Sequence, residues 1–277
     1  MRTRPVPMSV EEYHRQPIRP GWKCEYYGGK MWLQPRHSVA IVRYETVLRA
    51  AAIPEGFCLR PVIPEDAARL IPAFYDAFRE SVDYWGYGRD TLKKSAQESI
   101  SSCFAGKRGT FHSASFLALA PSKRSIAGAA MVVTDIDGPN LDLLFVRPRW
   151  QRLGLATALV QSAVNALHEA GEACLDSGHD VANAASADWH KCFGFRELPD
   201  LTRAKEEAAC ARSELRRRQD DGLLKAVDCR ELAGRAAHWK REVAALEAIA
   251  ARDGWEAVSP ILRRRKARKL SREKDSL

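Results

Sequence analysis

Residues 141–167 read LDLLFVRPRWQRLGLATALVQSAVNAL. The apolar run ahead of Arg147 has the character of a strand, and Pro148 ends it. A loop follows that contains Gly154. Apolar residues then return at three- and four-residue spacing, which predicts a long helix to about Ala170 with Gly171 as its C-cap. A strand, a loop and a helix N-terminus in that order form an anion site. The first four N–H groups of a helix lack internal partners, and its dipole adds roughly half a positive charge there. Gly154 lets a ligand approach the backbone, Ala156 keeps the surface small, and Arg147, Arg149 and Arg152 bring positive charge to the same mouth. The implied ligand is a phosphate or pyrophosphate. No Gly-Lys-Ser/Thr follows, which excludes a Walker A loop, and a single glycine excludes the dinucleotide fingerprint. Many such turns are purely structural, so these residues alone leave both readings open.

Outward from this stretch the chain alternates strands and helices. On the N-terminal side, Phe57–Pro61 is a short strand and Pro64–Ser81 an amphipathic helix. Asp90 is placed to cap a second helix that runs to about Phe104. Strand-like runs follow at Ser115–Ala120, Ser125–Thr134 and Leu141–Val146. On the C-terminal side, Ala173–Ser177 is a further strand, Ser186–Cys192 a short helix, and Phe195–Glu197 begins a last strand. This mixture predicts an α/β sheet domain over residues 57–200. Residues 1–56 form an N-terminal extension, with a short helix or turn at Met8–Arg15. In it Lys23–Tyr27 and Lys30–Gln34 flank Gly28-Gly29 as a hairpin, and Val39–Arg43 reads as a third antiparallel strand. Two helical patterns around Asp220-Asp221-Gly222 predict a helical hairpin over 201–256. Residues 257–277 form a basic tail, expected to be disordered.

The formal charge is +9, from 44 basic against 35 acidic residues. Residues 261–277 hold eight Lys/Arg and two Asp/Glu, so this tail supplies +6 and the rest of the chain about +3. Only the tail therefore raises the question of nucleic acid, and a solvated end explains it equally. Seven scattered cysteines include no Cys-x-x-Cys pair, which supports neither a zinc site nor a disulfide framework. No metal site is expected. No run approaches the ~18 apolar residues of a membrane span, and the first residues carry no apolar signal core. The expected setting is cytoplasmic, without a membrane partner.

QRLGLA at 151–156 resembles the Q/R-x-x-G-x-G/A signature of the Gcn5-related N-acetyltransferases, the GNAT superfamily. LLFVRP ahead of it resembles that family's fourth strand and its exit. NAASADWHKCFGF at 183–195 resembles the second conserved block: an Asn, a short helix and a terminal Gly-Phe. The resemblance spans about residues 57–200. It implies a mixed, mostly antiparallel sheet flanked by helices. It also implies acetyl-CoA as co-substrate and acyl transfer directly to a primary amine. Carried over by position, the pyrophosphate would rest on backbone N–H groups among Arg152, Leu153, Gly154, Leu155, Ala156 and Thr157. The pantetheine arm would run beside Phe145 and Val146, and an N–H near Val146 would polarise the thioester carbonyl. Asn183 matches the Asn that contacts the cofactor.

The family places a tyrosine seven residues after that Asn, as acid to the leaving thiolate, where this chain has His190. A histidine suits proton transfer near neutrality; the other reading is that it caps a helix or fills space and that CoA leaves as thiolate without help. The free amine of a lysine has a pKa of ~10.4, so a general base is useful. Asp142 on the fourth strand is the candidate, with Asp135 and Asp137 as alternatives and a solvent-facing acid as the bland reading. In the family the acceptor is framed by the first two helices and their loop, here SVDYWGYGRD at 81–90. Tyr84, Trp85 and Tyr87 either line that pocket or belong to the core, and Asp83 suits a cationic amine. The competing function is a GNAT-fold binding or regulatory module that grips nucleic acid or an acidic partner through the hairpin and tail. The acceptor is a small molecule or a protein, and the sequence does not define an oligomeric state.

Overall fold

The computed structural model describes residues 5–17, 19–121, 125–220, 226–264 and 266. Its elements are β1 (Val6–Pro7), α1 (Val10–Arg15), β2 (Trp22–Tyr27), β3 (Lys30–Pro35), β4 (Val39–Glu45), β5 (Cys58–Pro61), α2 (Ala67–Phe78), α3 (Arg89–Phe104), β6 (Thr110–Phe111), β7 (Phe116–Leu119), β8 (Ile126–Asp135), β9 (Gly138–Val146), α4 (Leu155–Glu169), β10 (Cys174–Asp180), α5 (Ala184–Phe193), β11 (Arg196–Glu197), α6 (Leu201–Asp220) and α7 (Ala226–Asp253). They fall into two compact units. A sheet unit comprises Ile41–His179 and Ala185–Glu197, and a hairpin unit comprises Met1–Ala40, Asp180–Ala184 and Leu198–Leu277.

The sheet has the order β11-β4-β10-β9-β8-β7-β5, with β6 paired to β8. Its β9–β10 pair is parallel, while β8–β9, β7–β8, β5–β7, β6–β8 and β4–β11 are antiparallel. The fold is thus a mixed, mostly antiparallel sheet flanked by helices. Strand β8 explains the layering. Ala130 and Val132 pack on one face with Leu155, Leu159, Ala163 and Leu167 of α4. Ala129, Met131 and Val133 pack on the other face with Leu70, Phe74, Ala96 and Ile100 of α2 and α3. Side chains alternate across a strand, so a strand covered on both faces is apolar throughout, as IAGAAMVV is.

Two local readings change. Strand β4 forms where expected, but it lies in the large sheet between β11 and β10 rather than beside the N-terminal hairpin. Ala40, Ile41, Val42 and Tyr44 are buried, and such a continuous apolar run suits an inner strand. The hairpin strands β2 and β3 pair with each other across Gly28-Gly29, both at positive φ, and β1 takes the third position. The N-cap of α3 is Gly88, so Asp90 stands in the first turn, where its charge favours the helix dipole.

In the hairpin unit, Leu201, Ala204, Leu246 and Val258 form a small core with Trp239 and Val243. Residues 260–264 are helical. Arg265, residues 267–277 and most of the Asp220-Asp221-Gly222 turn lie outside the described residues. Among the described residues, no helix is long and apolar enough to cross a membrane.

Two glycines give opposite expectations. A Cβ at Gly128 of β8 would stand 2.5 Å from the carbonyl oxygen of Phe145, a backbone atom that cannot swing away. Gly128→Ala should therefore destabilise the protein by about 1–3 kcal/mol, in the range of overpacking strain. Gly234, inside α7, has nothing within 4 Å of such a Cβ. Gly234→Ala should stabilise by roughly 0.5–1 kcal/mol through helix propensity. Thermal unfolding of both variants checks the two signs.

Candidate active site

Strands β9 and β10 pair only at Asn140↔Asp176 and Leu141↔Ser177. Beyond that point β9 continues to Val146, hydrogen-bonded to β8 alone. The register against β8 steps from Met131↔Leu143 to Val132↔Leu141, so Asp142 is the extra residue of a bulge. The sheet therefore splits where the bulge lies. Further along, Arg147 donates its N–H to Ala127 O at 2.8 Å. Backbone groups alternate along a strand, so the N–H and C=O of Val146 face the other edge, toward the split. Gln151 Nε2 donates to that carbonyl at 3.0 Å. The Val146 N–H is thereby aimed into the opening.

The loop after β9 begins with a 3-10 turn at Pro148–Trp150. Arg152 has φ 63° and Gly154 has φ 83°. A left-handed non-glycine residue is uncommon, and such strain collects at ligand sites. Gly154 is the N-cap of α4 without a side-chain cap, and a Cβ added there would meet nothing within 4 Å. The first N–H groups of α4 consequently face open space. Arg152, Leu153 and Thr157 are exposed, whereas Leu155, Phe145 and Val146 are buried. The three arginines differ. Arg147 is tied to Asp76 of α2 at 2.8 Å, while Arg149 lies over the Trp150 ring at 4.8 Å. Among the described residues, neither Arg149 nor Arg152 is ion-paired with a carboxylate.

On the α2–α3 side, Arg108 lies 3.0 Å from the Asp142 carboxylate, whose side chain is 9% exposed. The same guanidinium nitrogen donates to Ser99 O. Burial, together with the Asp142 charge, pushes the nearby Cys103 thiol up to about 12, so it stays protonated and unreactive. Tyr84 packs edge-on against Phe74 and Phe78, within the core. Tyr87 lies against Tyr84 and is 49% exposed, so the aromatic loop divides between core and surface. The Asp135 carboxylate accepts from the Asp137 N–H in the β8–β9 turn, which holds both at the end of β9 opposite Val146.

His190 sits on α5, 4% exposed. Its Nδ1 lies 2.8 Å from Ser186 O, which can only accept, so Nδ1 carries the proton. Nε2 lies 3.0 Å from Ser177 Oγ and accepts from that hydroxyl. Burial pulls the imidazole down to about 4, so it is neutral at physiological pH. Phe195 and Trp189 surround it, and Trp189 Nε1 donates weakly to Thr157 Oγ1 at 3.4 Å. The sheet unit thus assembles the 152–157 loop, Phe145, Val146, Asp142 and His190. Asn183 belongs to the hairpin unit, where its N–H donates to Asp180 O. Two contributors had no sequence signal, Arg108 and Ser177, whereas Gln151 is the first residue of the 151–156 signature. Among the described residues, no group of His, Cys, Asp and Glu is arranged to hold a metal.

Residues 87–208 match the family model described as acetyltransferase (GNAT) domain. Those residues, somewhat under half of the chain, are similar to a GNAT acetyltransferase domain. Similar solved structures include a GCN5-related N-acetyltransferase from Sphaerobacter thermophilus, at 15% identity and TM-score 0.45, covering 70% of this chain and 55% of that one. Another is the ribosomal-protein-S18-alanine N-acetyltransferase from Escherichia coli, at 21% identity and TM-score 0.39, covering 51% and 79%. A third is the paia N-acetyltransferase from Thermoplasma acidophilum in complex with coenzyme A, at 15% identity and TM-score 0.41, covering 50% and 89%. This chain thus spans about half the length of the Sphaerobacter protein. No curated protein matches the chain.

The His190 environment predicts a pH effect on stability. Its folded value of about 4 lies below the ordinary 6.5, so between these values the unfolded chain binds the extra proton. Stability contributed by neutral His190 is complete above pH 6.5 and is lost as pH falls toward 4. The full difference is on the order of 3 kcal/mol. Urea unfolding at pH 7 and pH 4.5 should show a smaller acid-induced loss in His190→Asn than in the wild type. Equal losses would remove His190 from the acid response.

Proposed function

We propose that the sheet unit is an N-acetyltransferase that moves an acetyl group from acetyl-CoA directly to a primary amine. The observation that carries this reading is the split between β9 and β10, with the Val146 N–H aimed into it beside the open N-terminus of α4. The residues present suit the co-substrate. An uncapped helix start with positive-φ backbone favours a pyrophosphate, and the free edge of β9 can pair with an amide-bearing arm. When bound, acetyl-CoA supplies the acyl group as an activated thioester.

The backbone N–H groups among Arg152, Leu153, Gly154, Leu155, Ala156 and Thr157 hold the phosphates. Phe145 and Val146 offer their backbone edge to the arm, and the Val146 N–H stabilises negative charge on the carbonyl oxygen during attack. Asp142 takes the proton of the incoming amine, directly or through a water, and Arg108 orients its carboxylate. We assign His190 to packing rather than to acid catalysis. Its support is a buried neutral ring with both nitrogens engaged, and a thiol of pKa ~8.5 can leave without an acid. Asn183 stays a proposed cofactor contact. The acceptor is an amine on a small molecule or a protein. Seven free cysteines fit a reducing compartment, and we place the protein in the cytoplasm.

Two variants test the site. Gly154→Glu adds bulk and negative charge where the phosphates would rest, so calorimetry should show at least a tenfold loss of CoA affinity. Unchanged affinity would overturn the loop assignment. Asp142→Asn should lower kcat by about 10²-fold or more with acetyl-CoA affinity retained, as loss of a general base does. The assay is release of free thiol from acetyl-CoA with a panel of amines. No thiol release with any amine would favour a binding module over an enzyme.

A further inference from the structure

Helix α6 carries more positive charge than its neighbours neutralise. Arg203 pairs with Glu207 at 2.5 Å, Lys205 with Glu247 at 2.8 Å, and Arg218 with Glu214 at 3.1 Å. Glu214 also takes Arg235 at 2.5 Å, and Glu206 accepts from Ser38. Arg212 and Arg216 are exposed, one helical turn apart, and neither has an ion pair among the described residues. Like charges at that spacing repel. Both line a cavity of about 610 Å³, together with Ser213, Arg217, Asp220 and His14 of α1. Arg217 donates to Gln16 O and lies over the Tyr13 ring at 5.9 Å. A neutral carbonyl and a ring hold the guanidinium in place without cancelling its charge. Its Nε–H is buried and has no hydrogen-bond partner among the described residues.

We propose that this cavity of the hairpin unit binds a small phosphate-bearing molecule. Three guanidiniums against one carboxylate leave a net charge of about +2, matched to a phosphate monoester or diphosphate dianion. Guanidinium groups suit phosphate because they donate in parallel pairs. The Ser213 hydroxyl adds a donor. The volume is that of a small-molecule pocket, within ~300–1,000 Å³, rather than of a track along a polymer. The site is separate from the loop at 152–157, which belongs to the sheet unit.

The test uses the full chain with inorganic pyrophosphate at ~50 mM salt, where electrostatic binding is strong. Titration calorimetry should show saturable binding. Hydrogen exchange should show protection over residues 10–17 and 209–220. Arg212→Gln with Arg216→Gln should lose at least tenfold in affinity and remove that protection, with the circular dichroism spectrum unchanged. Arg212→Lys with Arg216→Lys keeps the charge but not the paired donors, so its affinity should lie between the wild type and the double Gln variant. Protection confined to residues 151–157, equal affinity in the double Gln variant, or no saturable binding would each overturn the proposal. So would a single-stranded oligonucleotide bound more than tenfold tighter per phosphate, with protection spreading over residues 226–264. That result would assign the cluster to nucleic acid.

Discussion

The site depends on one break in backbone pairing. A strand inside a sheet has two edges, and every buried N–H and C=O on both must find a partner. Strand β9 meets this demand on its β8 edge along its whole length and on its β10 edge only at Asn140 and Leu141. Gln151 supplies the missing partner for the Val146 carbonyl. The Val146 N–H faces the split, and the proposed acetyl-CoA reading uses it as a recognition element. The bulge at Asp142 makes the break local, because it bends β9 where β10 departs.

The two faces of the sheet keep that break rigid. On one face α4 packs Leu155, Leu159, Ala163 and Leu167 against Ala130, Val132 and Leu141. On the other, Leu143 and Phe145 pack against α2 and α3. The start of α4 is therefore packed against the same strand that carries Val146, which places the proposed anion site and the amide donor on one packed layer. The family model matched over residues 87–208 covers α3 through β11 and the first residues of α6, which includes all of these elements except α2.

The strand, loop and helix of 141–167 were legible because each rests on local chemistry: an apolar run, Pro148, Gly154 and the spacing of leucines. The hairpin at Gly28-Gly29 was legible for the same reason. The place of β4 was not, since its partners β10 and β11 lie more than a hundred residues away and pairing choice is not written in a strand's own pattern. The bulge was hidden inside LDLLFV, where apolar residues on both faces erase the alternation that would reveal a slip. His190 shows the limit most plainly. Its position in the motif suggested proton transfer, but its environment depends on Ser177 and Phe195, whose approach only folding reveals.

Charge placement separates Asp142 from the other acids of the sheet unit. Asp66 and Asp176 are buried, and each receives a guanidinium fork with two short bonds, from Arg60 and from Arg43. Such pairs hold an acid in one geometry and keep it charged. Arg108 instead donates one nitrogen to Ser99 O and places it 3.0 Å from the Asp142 carboxylate as an ion pair. A single ion contact binds less firmly than a fork, and this carboxylate stands at the bulge where the sheet opens. Two buried acids are thus held by paired guanidinium bonds from Arg43 and Arg60, whereas the acid at the bulge meets Arg108 through one nitrogen, an arrangement compatible with the base role proposed for Asp142.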